Sequence, residues 1–321
     1  MKKHVIVSIL CVALAALALI WGLSPVANTR TQVVEGTVAL LLDTDIGAGP
    51  LQMKQGAKQA AREQKVDLIT ATADYSGNAA KSQADLMMQL LERDVRALLL
   101  VPVSGADLNE PLKEAERRKV PVLTLAETPI AGGTACTISA NHQEAGVLAA
   151  KSLLSRMGKP GYVLLITGDA QDMAANIRKS GAMTILSTEP EMKITLETSL
   201  EGKTIEDVQA LLDKNPNING ILALTGPGTD ICAQALGRTF MDIPLVGMDC
   251  GQNRNLYLEN GQVDAVVVGM PFAMGYLGVQ FAMQSLSGQS IPNWYYTESR
   301  VIDRENMYLP ENQKLAFPLL Q

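Results

Sequence analysis

Residues 38–64 read VALLLDTDIGAGPLQMKQGAKQAAREQ, an apolar run followed by a longer segment of helical period. The run Val38–Leu42 predicts a buried strand, and Leu51–Gln64 predicts a helix with one apolar face. The same order of strand and helix recurs along the chain from residue 36 onward. Such alternation is typical of βα units, so the sequence predicts an α/β protein built on parallel sheets.

The later repeats can be placed by the same two patterns. The other predicted strands are Leu68–Thr72, Ala97–Val101, Val120–Leu125, Tyr162–Thr167, Ile221–Thr225, Pro244–Met248 and Asp264–Val268. The other predicted helices are Lys81–Arg93, Leu108–Arg118, Gln143–Met157, Asp172–Leu186, Ile205–Asp213, Thr229–Thr239 and Met274–Ser287. This number of βα units is more than one small sheet holds.

Composition narrows the classes of function. The chain has 321 residues, of which 47% are hydrophobic and 19% charged, so it can bury a large core. Its net charge is -6, and no basic block is present that could neutralise a row of phosphates, so no nucleic-acid partner is expected. The two histidines, His4 and His142, leave little material for a catalytic triad or a metal site. We therefore expect no enzyme activity, no cofactor and no metal.

Two further motifs favour simple structural roles. Gly47-Ala48-Gly49 and Gly226-Pro227-Gly228 each lack the third glycine of a dinucleotide-binding loop, so tight turns are the better interpretation. Cys136, Cys232 and Cys250 form no CxxC pair and are expected to be buried thiols. A bridge between Cys232 and Cys250 stays open at this point.

The N-terminal segment has the pattern of an export signal. Lys2 and Lys3 precede a charge-free apolar run at residues 5–23, so residues 1–29 are interpreted as a signal peptide or signal anchor with a linker. The run approaches the ~20 residues that span a bilayer, which favours an uncleaved anchor. Because the basic end stays inside the cell, the rest of the chain is expected to be extracytoplasmic.

Polar residues follow several of the predicted strands. Asp43 and Asp45 come after the first strand, Tyr75 follows the second, and Glu127 follows the fourth. Ligands of open α/β sheets bind beyond the carboxyl ends of strands. A single carboxylate in such a position often serves as a helix cap instead. Asp249 ends a buried strand and is the strongest candidate for ligand contact.

A series of short motifs occurs along the chain from about Gly36 to the C-terminus. These motifs are Met53–Ala57, Leu100–Pro102, Asn141–Gly146, Asn215–Gly220, Pro244–Asp249 and Asn260–Gly261. In order and spacing they resemble the type I periplasmic binding proteins of the sugar-binding, ribose-binding-protein-like family. That family is related in fold to the ligand domain of lactose-repressor-type regulators.

The resemblance implies two doubly wound parallel-sheet lobes joined by a three-crossing hinge, which here follow the N-terminal hydrophobic helix. The N-terminal lobe would comprise residues 36–139 with 270–297, and the C-terminal lobe residues 140–269 with 298–315. A small polar ligand would be clamped between the lobes by hinge closure.

The expected ligand site departs from the family pattern at most positions. Gly47–Pro50 replaces an Asn-Pro-aromatic-aromatic run, and Ala126-Glu127 replaces Asp-Arg. The family's arginine, its Asn-Asp pair and its glutamine match Asn176, Thr225-Gly226 and Gly269, whereas Asp249 is retained. The rings that stack on a sugar would have to come from Tyr75 or Phe272.

Three functional interpretations remain open from the sequence. The resemblance implies a solute-binding protein that delivers a ligand, a sugar by family default, to an ABC permease. The carboxylates at strand ends favour a cationic or amine ligand instead. The long leader favours a membrane-anchored ligand-sensing lobe that partners a histidine kinase.

Overall fold

The computed structural model describes residues 36–126, 132–159, 161–199, 202–239 and 241–317. The predicted signal segment at residues 1–29 and the candidate Glu127 lie outside these ranges. The strands are β1 Thr37–Leu42, β2 Asp67–Thr72, β3 Ala97–Leu100, β4 Val122–Leu125, β5 Cys136–Ala140, β6 Tyr162–Thr167, β7 Lys193–Ser199, β8 Ile218–Ala223, β9 Leu245–Met248, β10 Ala265–Val268, β11 Trp294–Thr297 and β12 Arg300–Asp303.

The helices alternate with these strands along most of the chain. They are α1 Ala48–Gln64, α2 Ala79–Glu92, α3 Asn109–Arg117, α4 His142–Met157, α5 Met173–Leu186, α6 Ile205–Lys214, α7 Gly226–Leu236, α8 Gln252–Asn260, α9 Pro271–Leu286 and α10 Pro310–Ala316. The alternation confirms the predicted α/β class.

Two six-stranded sheets organise the described residues. The first sheet has the order β11-β5-β4-β3-β1-β2, and the second has the order β12-β10-β9-β8-β6-β7. Neighbouring strands run parallel except β10 and β12, which pair antiparallel. The chain passes from one sheet to the other three times: between β5 and α4, between β10 and α9, and between β11 and β12.

Each sheet is buried on both faces because its strands alternate between two apolar layers. In β1, Leu40 and Leu42 pack in one core cluster, while Ala39 and Leu41 pack in a second cluster on the opposite face. The second sheet is likewise covered on both faces by separate clusters. Burial on both faces explains why the central strands read as continuous apolar runs in the sequence.

Glycines allow two pairs of helices to approach at backbone distance. A Cβ atom at Gly56 of α1 would lie 1.9 Å from the carbonyl oxygen of Phe272, and one at Gly275 of α9 would lie 2.0 Å from that of Met53. The second sheet carries an equivalent pair, α4 and α5. There a Cβ at Gly146 would lie 1.9 Å from the carbonyl oxygen of Arg178.

The sequence patterns missed the interior strand β5, the edge strands β7, β11 and β12, and the helices α8 and α10. The edge strand β7 reads KITLETS, which mixes charged and apolar residues, and β11 and β12 are four-residue edge strands. Helix α8 reads QNRNLYLEN, which lacks an apolar stripe. The predicted strand Ile221–Thr225 was placed too late, because β8 begins at Ile218 and Thr225 instead precedes α7.

The three cysteines of the described residues are free and buried, which leaves no bridge between Cys232 and Cys250. Burial raises the pKa of Cys136 to about 11 and the pKa values of Cys232 and Cys250 to about 12. These thiols therefore stay protonated at neutral pH and act as small apolar side chains.

Replacing Gly275 with Ala is expected to destabilise the fold by about 1–3 kcal/mol, because the added methyl group must push α9 away from α1. Gly77→Ala is the matched control, since a Cβ there meets nothing within 4 Å. We expect its effect to stay within about 0.5 kcal/mol. Urea unfolding of both variants measures the difference, and equal stabilities would contradict the close helix contact.

Candidate ligand-binding site

Two cavities lie at the carboxyl ends of the strands, and each has walls from elements of both sheets. The first cavity has a volume of about 430 Å³, and the second a volume of about 680 Å³. Both are lined by Ala140, His142 and Met274, so they adjoin each other. Together they form one cleft between the two sheets.

The three connections between the sheets meet at the first cavity. Ala140, Gly269 and Ser299 line it, and they lie at the first, second and third connection respectively. The backbone N–H of Asn141 donates to the carbonyl oxygen of Thr297 over 3.3 Å, which joins the first connection to the third. The cavity therefore lies beside the segments that would bend if the sheets moved relative to each other.

Asp249 lies in the wall of the first cavity, directly after β9. Its backbone has a φ of 61°, in the left-handed region, which Asp tolerates better than most residues. The N–H of Asp249 donates to the carbonyl oxygen of Val267 over 2.9 Å. The left-handed turn thus ends the strand at the cavity while the backbone stays paired with β10.

Arg254 of α8 supports this turn from within the same wall. Its Nε donates to the carbonyl oxygen of Asp249 over 3.1 Å, and its Nη1 lies 2.5 Å from Oδ2 of Asp230. Both charged side chains are largely buried, at 17% and 24% exposure. Burial raises the pKa of Asp230, and the charge and hydrogen bond of Arg254 partly offset that rise.

Arg178 of α5 forms a second cationic part of the wall. Its Nε donates to Nδ1 of His142 over 3.3 Å, and its Nη1 donates to the carbonyl oxygen of Leu224 over 3.0 Å. The bond requires an unprotonated Nδ1, because a protonated imidazole nitrogen cannot accept. His142 lines both cavities, and the hydrogen bond that it accepts helps to orient Arg178.

The opposite wall of the first cavity is apolar and comes from the first turns of α1 and α9. It includes Ile46, Pro50, Met270 and Met274. No Phe, Tyr or Trp of the described ranges lines either cavity. A sugar in this cleft would therefore contact aliphatic side chains rather than aromatic rings.

The second cavity carries the acidic part of the cleft. Asp43, directly after β1, lines it, and burial raises the pKa of this carboxyl group. Asp172 lines it as well, but its Oδ1 accepts the N–H of Ala175 and so caps α5. The cleft is thus cationic at one end and acidic at the other.

The structure places two of the predicted ligand contacts, Asp249 and Asp43, in cavity walls. Thr225 lies outside both and caps α7 by accepting the N–H of Gly228 over 3.1 Å. Asn176 donates to the carbonyl oxygen of Ala170, within its own turn.

The remaining candidates that the structure describes, Asp45, Tyr75 and Phe272, also lie outside both cavities. Asp45 is exposed, and Tyr75 is 61% exposed. Phe272 stacks on Tyr276, with ring centroids 6.3 Å apart. Contact of these residues with a ligand stays a prediction.

Sequence reasoning did not select Arg254 or Ser299 for the site. Arg254 lies on α8, whose polar sequence does not predict a helix. Nothing in the sequence therefore indicates that its side chain faces the cleft. Ser299 lies in the short connection between β11 and β12, two strands that were not predicted. Arg178 follows the candidate Asn176 by two positions, about half a helical turn, and was likewise not selected.

Two classes of feature are absent from the part of the chain that the structure describes. Within it, no cluster of three or more His, Cys, Asp or Glu side chains is arranged to hold a metal ion. In the same residues, no helix combines the length and apolar character needed to cross a membrane.

Two parallel-sheet layers with a cleft at their strand ends define a two-lobed α/β binding protein. The family model for the periplasmic binding protein domain matches residues 41–290. The chain therefore belongs to the periplasmic binding protein family, as the resemblance predicted.

Two curated relatives are similar over most of their length. The ribose import binding protein of Salmonella typhimurium is 22% identical over 278 residues, which cover 85% of this chain and 92% of that protein. The D-apiose import binding protein of Actinobacillus succinogenes is 25% identical over 256 residues, with 77% and 81% covered.

Solved structures agree in fold. An ABC transporter periplasmic solute-binding protein from Actinobacillus succinogenes with bound D-allose has a TM-score of 0.74 at 23% identity, covering 84% of this chain and 98% of that one. The arabinose-binding protein AraP from Geobacillus stearothermophilus has a TM-score of 0.74 at 19% identity, with 85% and 98% covered.

Replacing Arg254 with Gln is expected to destabilise the fold by about 1–3 kcal/mol at pH 7, because it leaves the Asp230 carboxylate buried without its cation. The loss should shrink as the pH falls. A carboxyl group whose pKa is raised in the folded state ionises first in the unfolded chain, so its cost to stability grows as pH rises above the ordinary value of 3.8.

Urea unfolding at pH 7 and at pH 4.5 measures both effects. The control is the double variant Arg254→Gln with Asp230→Asn, which removes the orphaned charge and should recover most of the stability at pH 7. A single variant with a loss that is independent of pH would contradict the role of this ion pair.

Proposed function

We propose that this chain is an extracytoplasmic solute-binding protein that clamps a small sugar between two lobes and presents it to an ABC permease. The observation that carries the proposal is Asp249, the residue of the family's site that this sequence retains, standing in a cavity with walls from both sheets. A carboxylate there can accept two sugar hydroxyls at once. Family membership and the sugar-import relatives support the proposal.

The proposed mechanism is hinge closure. Residues 36–139 with 270–297 would move as the N-terminal lobe, and residues 140–269 with 298–315 as the C-terminal lobe. The bending would be confined to the three connections, which are short and adjacent. Closure would bring the apolar wall of α1 and α9 onto a ligand held by the polar wall and would expel water from both.

The aliphatic wall can replace the missing aromatic rings only in part. A sugar presents an apolar C–H face, and Ile46, Pro50 and Met274 offer apolar area against it without the directional preference of a ring. Affinity would then depend more on the polar wall of Asp249 and the two arginines.

We propose that the protein works outside the cytoplasmic membrane, as the family implies, with residues 1–29 acting as its export signal. Whether residues 5–23 also anchor it stays a prediction. The sensor alternative, with a histidine kinase as the partner, gains no support from the family or from the relatives described above.

The first experiment is a thermal-shift screen of pentoses, hexoses, cyclitols and sugar acids, because a ligand at 100 times its Kd adds about 2.7 kcal/mol to stability. Asp249→Asn should weaken the best sugar by about tenfold or more, since it removes a charge-assisted acceptor. Asn also tolerates the left-handed backbone, so the turn is retained.

Titration calorimetry of Asp249→Asn and of the exposed control Asp213→Asn gives the comparison. The control should bind as the unaltered protein does. Equal affinity in the two variants would remove Asp249 from the site, and a protein that binds no sugar in the screen would contradict the proposed function.

A further inference from the structure

We propose that the first cavity binds a carboxylate, so that the ligand is a sugar acid, such as a uronate or an aldonate, rather than a neutral sugar. This inference rests on the proposed function and names the chemical class of its ligand. Arg178 would bind the carboxylate, and Asp249 would bind hydroxyl groups of the same molecule.

Arg178 is a cation whose charge is not balanced by any carboxylate among the described residues. Its two hydrogen bonds go to an imidazole nitrogen and a backbone carbonyl oxygen. No carboxylate of the described residues lies within ion-pair distance of its guanidinium group, and its Nη2 donates to none of them. A guanidinium held in this way at a cavity wall is oriented to donate to an incoming oxyanion.

Arg254 contrasts with Arg178, although both line the same cavity. Asp230 balances the charge of Arg254, and Nε of Arg254 holds the backbone of Asp249. Arg254 is thus a positioning residue for the turn. Among the lining residues that the structure describes, Arg178 is the cation that remains for a ligand.

A buried hydroxyl group lies in the wall of the same cavity. Ser299 lines it, is 9% exposed, and its Oγ has no hydrogen-bond partner among the residues that the structure covers. A buried hydroxyl without a partner costs free energy that a ligand can recover by accepting its proton. A carboxylate oxygen is a strong acceptor for such a group.

The N-termini of the helices around the cavity also favour an anionic ligand. The first turns of α1, α4 and α9 line it, and α8 begins two residues after Cys250, which also lines it. Within the described chain, α1, α8 and α9 have no side-chain hydrogen bond at the N-cap. The positive ends of several helix dipoles therefore point toward one small volume and favour an anion there.

The described acidic residues that were predicted to attract a cation do not cluster in this cavity. Asp249 is the one carboxylate among its described lining residues, whereas Asp43 and Asp172 line the second cavity. A ligand that spans both cavities would place its carboxylate toward Arg178 and its hydroxyl groups toward Asp43.

The test compares matched sugars that differ in one group, by titration calorimetry of the full chain at pH 7. The probes are glucose with glucuronate, galactose with galacturonate, ribose with ribonate, and glucosamine as the cationic counterpart. We expect at least one acid to bind tenfold or more tightly than its neutral partner, with an affinity that falls as salt rises.

The variant Arg178→Gln should then weaken the acid by tenfold or more and leave neutral sugars less affected, whereas Arg178→Lys should retain part of the preference through its charge. Arg238→Gln is the matched control, since Arg238 lies in an exposed ion pair with Glu206. Melting temperatures establish that each variant is folded.

Three outcomes would overturn the inference. Neutral sugars that bind as tightly as their acids would contradict it and leave the proposed sugar-binding function intact. A preference for glucosamine would favour the cationic ligand. Absence of binding by every probe, neutral ones included, would contradict this inference and the proposed function together.

Discussion

The close crossing of two helix pairs is the constraint on which the cleft depends. Gly56 and Gly275 bring α1 and α9 to backbone distance on the first sheet, and Gly146 and Gly181 do the same for α4 and α5 on the second. The first turns of all four helices lie at the cleft and line the cavities. A side chain at any of these glycines would separate the helices and shift the residues that face a ligand.

The two walls that these helices support are chemically different. The wall from the first sheet is mostly aliphatic, and the wall from the second carries two guanidinium groups and a carboxylate. A polar ligand would therefore bind first to the second wall, and closure would then cover it with apolar surface. Excluding water in this way strengthens the hydrogen bonds already made, because the local dielectric falls.

Sequence patterns predicted most of the elements because most buried parallel strands form continuous apolar runs and the longer amphipathic helices have a helical period, although the buried strand β5 was missed. They failed where the signal is weak. Edge strands such as β7 expose one side and read as mixed sequence, and the short, polar α8 has no apolar stripe. The antiparallel return of β12 follows from its pairing with β10, which no local pattern encodes.

The candidate site was predictable only in part, for a related reason. Asp249 and Asp43 directly follow strands, so their place at the cleft followed from the topology. Thr225 also follows a strand, and Asn176 lies in the first turn of α5, but local hydrogen bonds use their side chains in a cap and a turn. Arg254 lies on α8, and Ser299 lies between β11 and β12, none of which the sequence patterns predict. Their place in the cavity wall is therefore visible only in the structure.

The central claim is that one small molecule binds between the two sheets and that both walls contact it. The most direct measurement is a crystal structure of the protein grown with the sugar or sugar acid that stabilises it most. The account predicts that the ligand lies within hydrogen-bond distance of Asp249 and in van der Waals contact with the first turns of α1 and α9. A ligand bound outside the cleft, or to one wall of a cleft that stays open, would contradict it.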